Sequence, residues 1–304
     1  MKIMDSKKNI GHLAALAANV IFGLSMPVTK ILLSGWMTPL GFTLTRVLFA
    51  TFLFWGVGFF MPNEKVSPKD LFVIAAGGFF GFIVSQYLFA VSLQHITPVY
   101  YSLITALSPV IVMLLATLFL KEPISGMKIA GVTLGIGGAV LLVMHMDMGS
   151  GNVMGIILSV AANTAYAIYL IITRSVSQRY SPLVLMKWLF LFTSLMVMPF
   201  GITELAAQPV FRSGASLEAI GLLAYVLLGS TAIAYFLIPF ALKRLRATTV
   251  SIYMNLQPII AATAAVCIGQ DTFSWEKPVA FLLVIAGAII VSRSPSKRGM
   301  EANT

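Results

Sequence analysis

The stretch ALSPVIVMLLATLFLKEPIS, Ala106 to Ser125, returns 149 residues later as NLQPIIAATAAVCIGQDTFS, Asn255 to Ser274. Leu107 matches Leu256, Pro109 matches Pro258, Glu122 matches Asp271 and Ser125 matches Ser274. At the same offset Gly138 matches Gly287 and Ala139 matches Ala288. A second pair, AANVIFGLSMPVTK (Ala17 to Lys30) and AANTAYAIYLIITR (Ala161 to Arg174), lies 144 residues apart. The chain is read as a duplication, and self-similarity of this kind is the mark of a repeated structural unit.

Composition says where the duplicated unit resides. Hydrophobic residues make up 59% of the chain and charged residues 10%, whereas soluble domains carry roughly 25% charged residues. Apolar runs of about 20 residues, the length that crosses a bilayer core, recur throughout. The longest polar connection, around 206–217, is too short for a soluble domain. The single cysteine, Cys267, excludes an internal disulfide framework and reads as a small packing residue. The net charge of +10 is scattered at helix ends and forms no stripe, so nucleic acid is not an expected partner. The first apolar run is too long for a signal peptide and lacks a small-residue cleavage site.

The expected fold is an all-α integral membrane protein with ten transmembrane helices, at 11–33, 40–61, 70–93, 98–120, 126–145, 152–173, 183–205, 217–241, 248–270 and 276–293. Charges in the connections alternate. One side collects 16 of the 20 basic residues, including Lys7, Lys65, Lys121, Arg179, Lys243 and Arg298. The other has Arg212 and Lys277, with Asp147, Glu204, Glu218, Asp271 and Glu276. The positive-inside rule then places both termini in the cytoplasm. Five helices per repeat is odd, so the second half enters from the opposite face and the halves are inverted repeats. Mirrored halves are the common architecture of secondary transporters. The bland alternative is a duplication that enlarges a membrane scaffold.

Several motifs sharpen this. They are FGLSMPVTKILL (22–33) with Pro27 and Lys30, LTRVLFATFLF (44–54) with Arg46, and SLITALSPVIVMLLATLFLKEPIS (102–125) with Pro109, Lys121, Glu122 and Pro123. The glycine-rich GMKIAGVTLGIGGAVLLV (126–143) and GQDTFSWEKPVAFLLVIAGAIIVSR (269–293) complete the set. In this order, and repeated, they resemble the drug/metabolite transporter superfamily, specifically its EamA-type members, over nearly the whole chain. The resemblance implies two EamA-like repeats, 11–145 and 152–293, followed by a cytoplasmic tail, 294–304. It also implies export, and a cavity lined by helices 1, 3, 4, 6, 8 and 9.

A substrate site is expected near the midplane between the halves. Tyr101, Thr105 and Ser108 share one face of helix 4, and Ser251, Asn255 and Pro258 one face of helix 9, with Gln257 adjacent. Asn19 and Asn163 hold the same place in helices 1 and 6, followed by Phe22 and Tyr166. Helix 3 adds Gln86 and Tyr87, and helix 8 Tyr235. Intramembrane amides also stitch helices together, so Asn19 and Asn163 are read equally as packing groups. Pro109 and Pro258 free carbonyls near Thr105 and Met254 and bend their helices. Lys30 and Arg46 either capture an anion at the outer mouth, or cap helix 1 and bond nearby carbonyls respectively. Gly77 with Gly81, and Gly131 with Gly135, have the small-xxx-small spacing of close helix contacts, read here as contacts within one chain. Trp36, Trp55, Trp188 and Trp275 fit an aromatic belt.

No Asp or Glu lies in the middle of a span; all ten acids sit in tails or at helix ends. A buried carboxylate for proton coupling is therefore missing. The phosphate-cradling loop, metal-ligand spacing and activated nucleophile are missing too, so no cofactor, metal or catalytic residue is expected. The expected partners are a small-molecule substrate and the lipid bilayer. A monomer is expected, with a dimer as the alternative. The leading reading is a secondary transporter in a bacterial inner membrane, exporting small metabolites such as amino acids. A facilitative pore for a small neutral solute is the alternative, and an integral-membrane enzyme is a weaker one.

Overall fold

The computed structural model describes residues 2–61, 64–120, 126–144, 150–212, 214–270 and 274–293. Lys121, Glu122, Pro123, Asp147, Asp271 and the 294–304 tail lie outside the described residues. In chain order the helices are α1 (Lys2–Leu33), α2 (Pro39–Phe59), α3 (Pro68–His95), α4 (98–120), α5 (Gly126–Met144), α6 (Ser150–Arg179), α7 (Pro182–Leu205), α8 (Leu217–Leu242), α9 (247–267) and α10 (Glu276–Arg293). No strand occurs among the described residues.

Local chemistry starts several of these helices. Thr38-Pro39, Ser67-Pro68, Thr97-Pro98 and Ser181-Pro182 put a hydroxyl residue at the N-cap and proline at the first helical position. Proline has no N–H to orphan there, and at Thr38, Ser67 and Ser181 the cap hydroxyl accepts one of the free amides. Thr38 accepts from the Gly41 amide at 3.1 Å and Ser67 from the Asp70 amide at 3.2 Å.

Eight helices among the described residues are long and apolar enough to cross a membrane. Their outward faces carry bare apolar side chains: Phe52 is 76% exposed, Phe72 77% and Phe59 86%. Water would not tolerate so many, whereas hydrocarbon does. The chain is a multi-pass membrane protein. α5 contributes a shorter apolar stretch, Ile129–Gly138, and packs lengthwise on α10. A Cβ placed on Gly287 would lie 2.5 Å from the Gly131 carbonyl oxygen and 2.7 Å from the Gly135 amide nitrogen. The two backbones meet because neither helix carries a side chain there. Gly77 and Gly81 instead make room for side chains, those of Thr173 and Tyr169 of α6.

The expected regular helices are interrupted at matching places in the two halves. α4 breaks into a turn at 106–107, and α9 passes through a 3-10 segment at Tyr253–Leu256. Each break immediately precedes the Ser-Pro or Gln-Pro pair at 108–109 and 257–258, where proline removes an amide and crowds the carbonyl four residues earlier. α3 carries a π-helical segment at Phe79–Val84 and α8 one at Val226–Ile233. Helix ends also differ from expectation: α1 extends back to Lys2 and α6 runs on to Arg179.

The first helix of each half bonds to the other half. α1 joins α9 through His12 Nδ1 and the Tyr253 hydroxyl at 2.8 Å, through Asn19 and Gln257, and near its end through Gln270 Nε2 donating to the Pro27 carbonyl at 3.0 Å. α6 packs on α3 and α4. Where α3 begins, Asp70 accepts from the Tyr180 hydroxyl at 2.7 Å and pairs with Arg179 at 2.8 Å. On the same side Lys187 lies over the Trp55 ring, 4.1 Å from its centre, and the Trp55 indole donates to the Lys187 carbonyl. That arrangement suits an aromatic anchor at a membrane boundary.

Candidate functional site: a polar cavity between the two halves

The two larger apolar clusters fill most of the described interior. One centres on Phe82, Tyr169, Phe190 and Tyr235, the other on Met26, Phe42, Phe89 and Tyr101. Between them lies a cavity of about 50 Å³. A single water needs roughly 10–15 Å³ on the same measure, so the space holds a few waters and no metabolite in this conformation. Its wall is formed by Phe22, Ser25 and Met26 of α1, Arg46 of α2, Ser85, Gln86 and Phe89 of α3, and Tyr101 and Thr105 of α4. Asn163 and Tyr166 of α6, Tyr235 of α8, and Met254 and Gln257 of α9 complete it.

Two polar links of the same design flank the cavity. Asn19 donates its Nδ2 to the Ala15 carbonyl one turn back (2.8 Å), and its Oδ1 accepts from Gln257 Nε2 at 2.6 Å. Asn163 donates its Nδ2 to the Ser159 carbonyl (2.9 Å), and its Oδ1 accepts from the Ser108 hydroxyl at 3.0 Å. Each asparagine is locked on its own helix and offers one acceptor across to the other half. Each donor is the residue directly before a proline, Gln257 before Pro258 and Ser108 before Pro109. All four side chains are buried. Unsatisfied amides would be costly there, and each link contributes on the order of 0.6–2 kcal/mol.

Arg46 lies deep in the wall, 4% exposed. Its Nε–H donates to the Thr231 hydroxyl and its Nη1–H to Gln86 Oε1, both at 2.7 Å. Thr231 belongs to the π segment of α8, and Gln86 follows the π segment of α3 by two residues. Single-turn π segments recur at functional sites because they re-aim one helix face. The aromatic walls also touch one another: Phe22 meets Tyr235 edge-on at 5.0 Å and Phe89 tilts on Tyr101 at 4.7 Å.

The expected site residues separate into three groups. Phe22, Gln86, Tyr101, Thr105, Asn163, Tyr166, Tyr235 and Gln257 meet at the cavity. Asn19 and Ser108 stand behind the wall, bonded to residues in it. Tyr87 departs from the expectation. It is 38% exposed, on an outer apolar groove with Phe79, Ile83 and Phe200, because the residue after Gln86 is turned about 100° around the helix. Ser251 and Asn255 are buried away from the wall. Lys30 and Arg46 part company as well. The Lys30 ammonium donates to the Leu93 and Ile96 carbonyls at the end of α3, rather than capping its own helix. Arg46 bonds the side chains of Thr231, Gln86 and Tyr235, not carbonyls, and sits in the cavity wall rather than at an outer mouth. Ser25, Met26, Ser85, Phe89 and Met254 line the wall without having been singled out. Helical spacing carried the signal for three of them, since Ser25 and Met26 follow Phe22 by three and four residues and Phe89 follows Gln86 by three.

Membrane-length apolar helices around a shared polar interior define an integral membrane protein. A model of the EamA-like transporter family matches residues 9–144 and again 153–293. The chain belongs to the EamA-like transporter family, as two tandem EamA regions. It is similar to an "Uncharacterized transporter" of Archaeoglobus fulgidus, 24% identical over 257 residues that cover 84% of this chain and 88% of the other. It is similar also to the "Uncharacterized inner membrane transporter YhbE" of Escherichia coli strain K12, 24% identical over 306 residues, 95% of this chain and 90% of that one. A protein crystal structure superposes with a TM-score of 0.66 at 18% identity, over 95% of this chain and 98% of the other, which shows the shared fold.

Proposed function

We propose that the chain is a secondary transporter of a bacterial inner membrane that exports small metabolites such as amino acids by alternating access. In this reading it has ten spans in two inverted five-helix halves, 11–145 and 152–293, with both termini and the 294–304 tail in the cytoplasm. It works as a monomer in the lipid bilayer, with a small-molecule substrate and without catalysis. The supporting observation is the paired linkage Asn19–Gln257 and Asn163–Ser108 around one cavity. Each link couples a helix of one half to a proline-interrupted helix of the other. A rocking motion of the halves has to break or re-form both. The small volume of the cavity fits a closed state that must widen to load.

The test is counterflow in proteoliposomes containing the purified full-length chain. A carrier gives saturable uptake of labelled solute that is stimulated by the same solute inside. Non-saturable flux without trans-stimulation marks a pore and ends the carrier reading. Tyr101→Ala, which removes a wall residue, is expected to lower counterflow at least fivefold with unchanged membrane insertion. A wild-type rate would remove Tyr101 from the site.

A further inference from the structure

Arginine stays charged in any protein environment, and Arg46 is a buried one inside a membrane-crossing helix. A guanidinium offers five N–H donors. Here one goes to Thr231, one to Gln86 and one to the Tyr235 hydroxyl, all neutral acceptors. The rings of Phe42 and Tyr235 lie 5.2 Å and 5.9 Å from its central carbon. Among the described residues no carboxylate pairs with it; Asp70 is held by Arg179 and Tyr180, and Glu204 by the Thr38 hydroxyl. The chain has no carboxylate to spare for the midplane, since all ten acids sit in tails or at helix ends.

A cation in this setting is expensive and marks a function unless it is paired. Tying α2 to α3 and α8 requires no charge. All the acceptors it bonds are neutral, so those bonds bring no negative charge to offset the desolvation penalty of the ion. The charge is thus left over after the structural bonds are counted, and it borders the cavity.

We propose that Arg46 receives the carboxylate of the transported solute. The proposal rests on the carrier reading and names its substrate class: small organic monoanions, amino acids among them, recognised through the carboxylate. A single guanidinium lines the wall, and the ammonium of Lys30 is already engaged with the Leu93 and Ile96 carbonyls. Dianions are therefore disfavoured. The wall holds no acid, so a substrate ammonium would meet only aromatic rings, thioethers and amide or hydroxyl oxygens. The carboxylate is required and the amine is dispensable.

The experiment is ligand-induced thermal stabilisation of the purified full-length protein. The probes are small monocarboxylates and amino acids, each beside its own amide, with leucine, leucinamide, 4-methylpentanoate and 4-methylpentanamide as one matched set. The expected result is that acids bind and the matched amides bind at least tenfold more weakly. Loss of the amine changes affinity less than loss of the carboxylate. Arg46→Gln abolishes the acid-over-amide preference and Arg46→Lys retains part of it. Equal binding of acids and amides, no response to any carboxylate, or an intact preference in Arg46→Gln overturns the proposal. Should Arg46→Gln fail to fold, the wild-type acid-against-amide comparison and Arg46→Lys still decide. Counterflow run in parallel separates this from the carrier reading. Acid-selective binding without counterflow sinks the carrier and leaves the carboxylate site. Counterflow of amides as fast as acids does the reverse.

Discussion

Gln257→Ala is expected to lower transport roughly five- to thirtyfold without altering membrane insertion. The substitution deletes the donor that Asn19 Oδ1 accepts from at 2.6 Å. Asn19 is held to its own helix by the Ala15 carbonyl, so its oxygen cannot swing to a new partner. It is left buried and unpaired, and the cavity loses an amide from its wall. A link of about 1–2 kcal/mol between the halves shifts a two-state balance by that factor. The same link predicts a non-additive pair. Asn19→Ala alone should resemble Gln257→Ala, and the double variant should be no worse than either. A double-variant cycle on counterflow rates measures this. Independent, multiplying losses would show that the two side chains do not act together.

Gly287→Leu is expected to leave little monodisperse protein after extraction. The first carbon of any side chain there would sit 2.5 Å from the Gly131 carbonyl oxygen and 2.7 Å from the Gly135 nitrogen. Both are backbone atoms, so no rotamer change relieves the clash and α5 must part from α10. Overpacking at such a seam costs about 1–3 kcal/mol for modest additions, and leucine adds more. Gly137 is the control, since nothing lies within 4 Å of a Cβ there. Gly137→Leu should extract and melt like the wild type. Size-exclusion profiles and melting temperatures of the two variants decide the matter. Equal behaviour would mean that the α5–α10 contact is not the close seam described.

Much of the fold is legible along the chain because its determinants are local. Thr-Pro and Ser-Pro pairs start helices at 38–39, 67–68, 97–98 and 181–182. Pro109 and Pro258 announce the interruptions of α4 and α9. The all-helical membrane character follows from apolar run length, and the duplication from matched residues at one offset. The π segments of α3 and α8 had no such sign; no proline or glycine pattern distinguishes FFGFIV or VLLGSTAI from regular helix.

The lining of the candidate cavity was legible in part as a list of residues, without Ser25, Met26, Ser85 and Phe89 and with Tyr87, Ser251 and Asn255 added, but not as an arrangement. In a soluble helix the polar face points outward and reveals its rotation. In lipid the outward face is as apolar as the packed one, so hydropathy says that a helix spans and not which way it turns. Gln86 and Tyr87 illustrate this, being neighbours in sequence that face the cavity and the lipid side respectively. Residue chemistry and local backbone rules thus determine from sequence alone that this chain is a duplicated set of apolar, membrane-length helices carrying amides and two cations, Lys30 and Arg46, within its spans. That Asn19 meets Gln257, that Asn163 meets Ser108, and that Arg46 finds Thr231 and Gln86 but no carboxylate was decided only by tertiary structure. Those contacts depend on the rotation of each helix against partners up to 238 residues away.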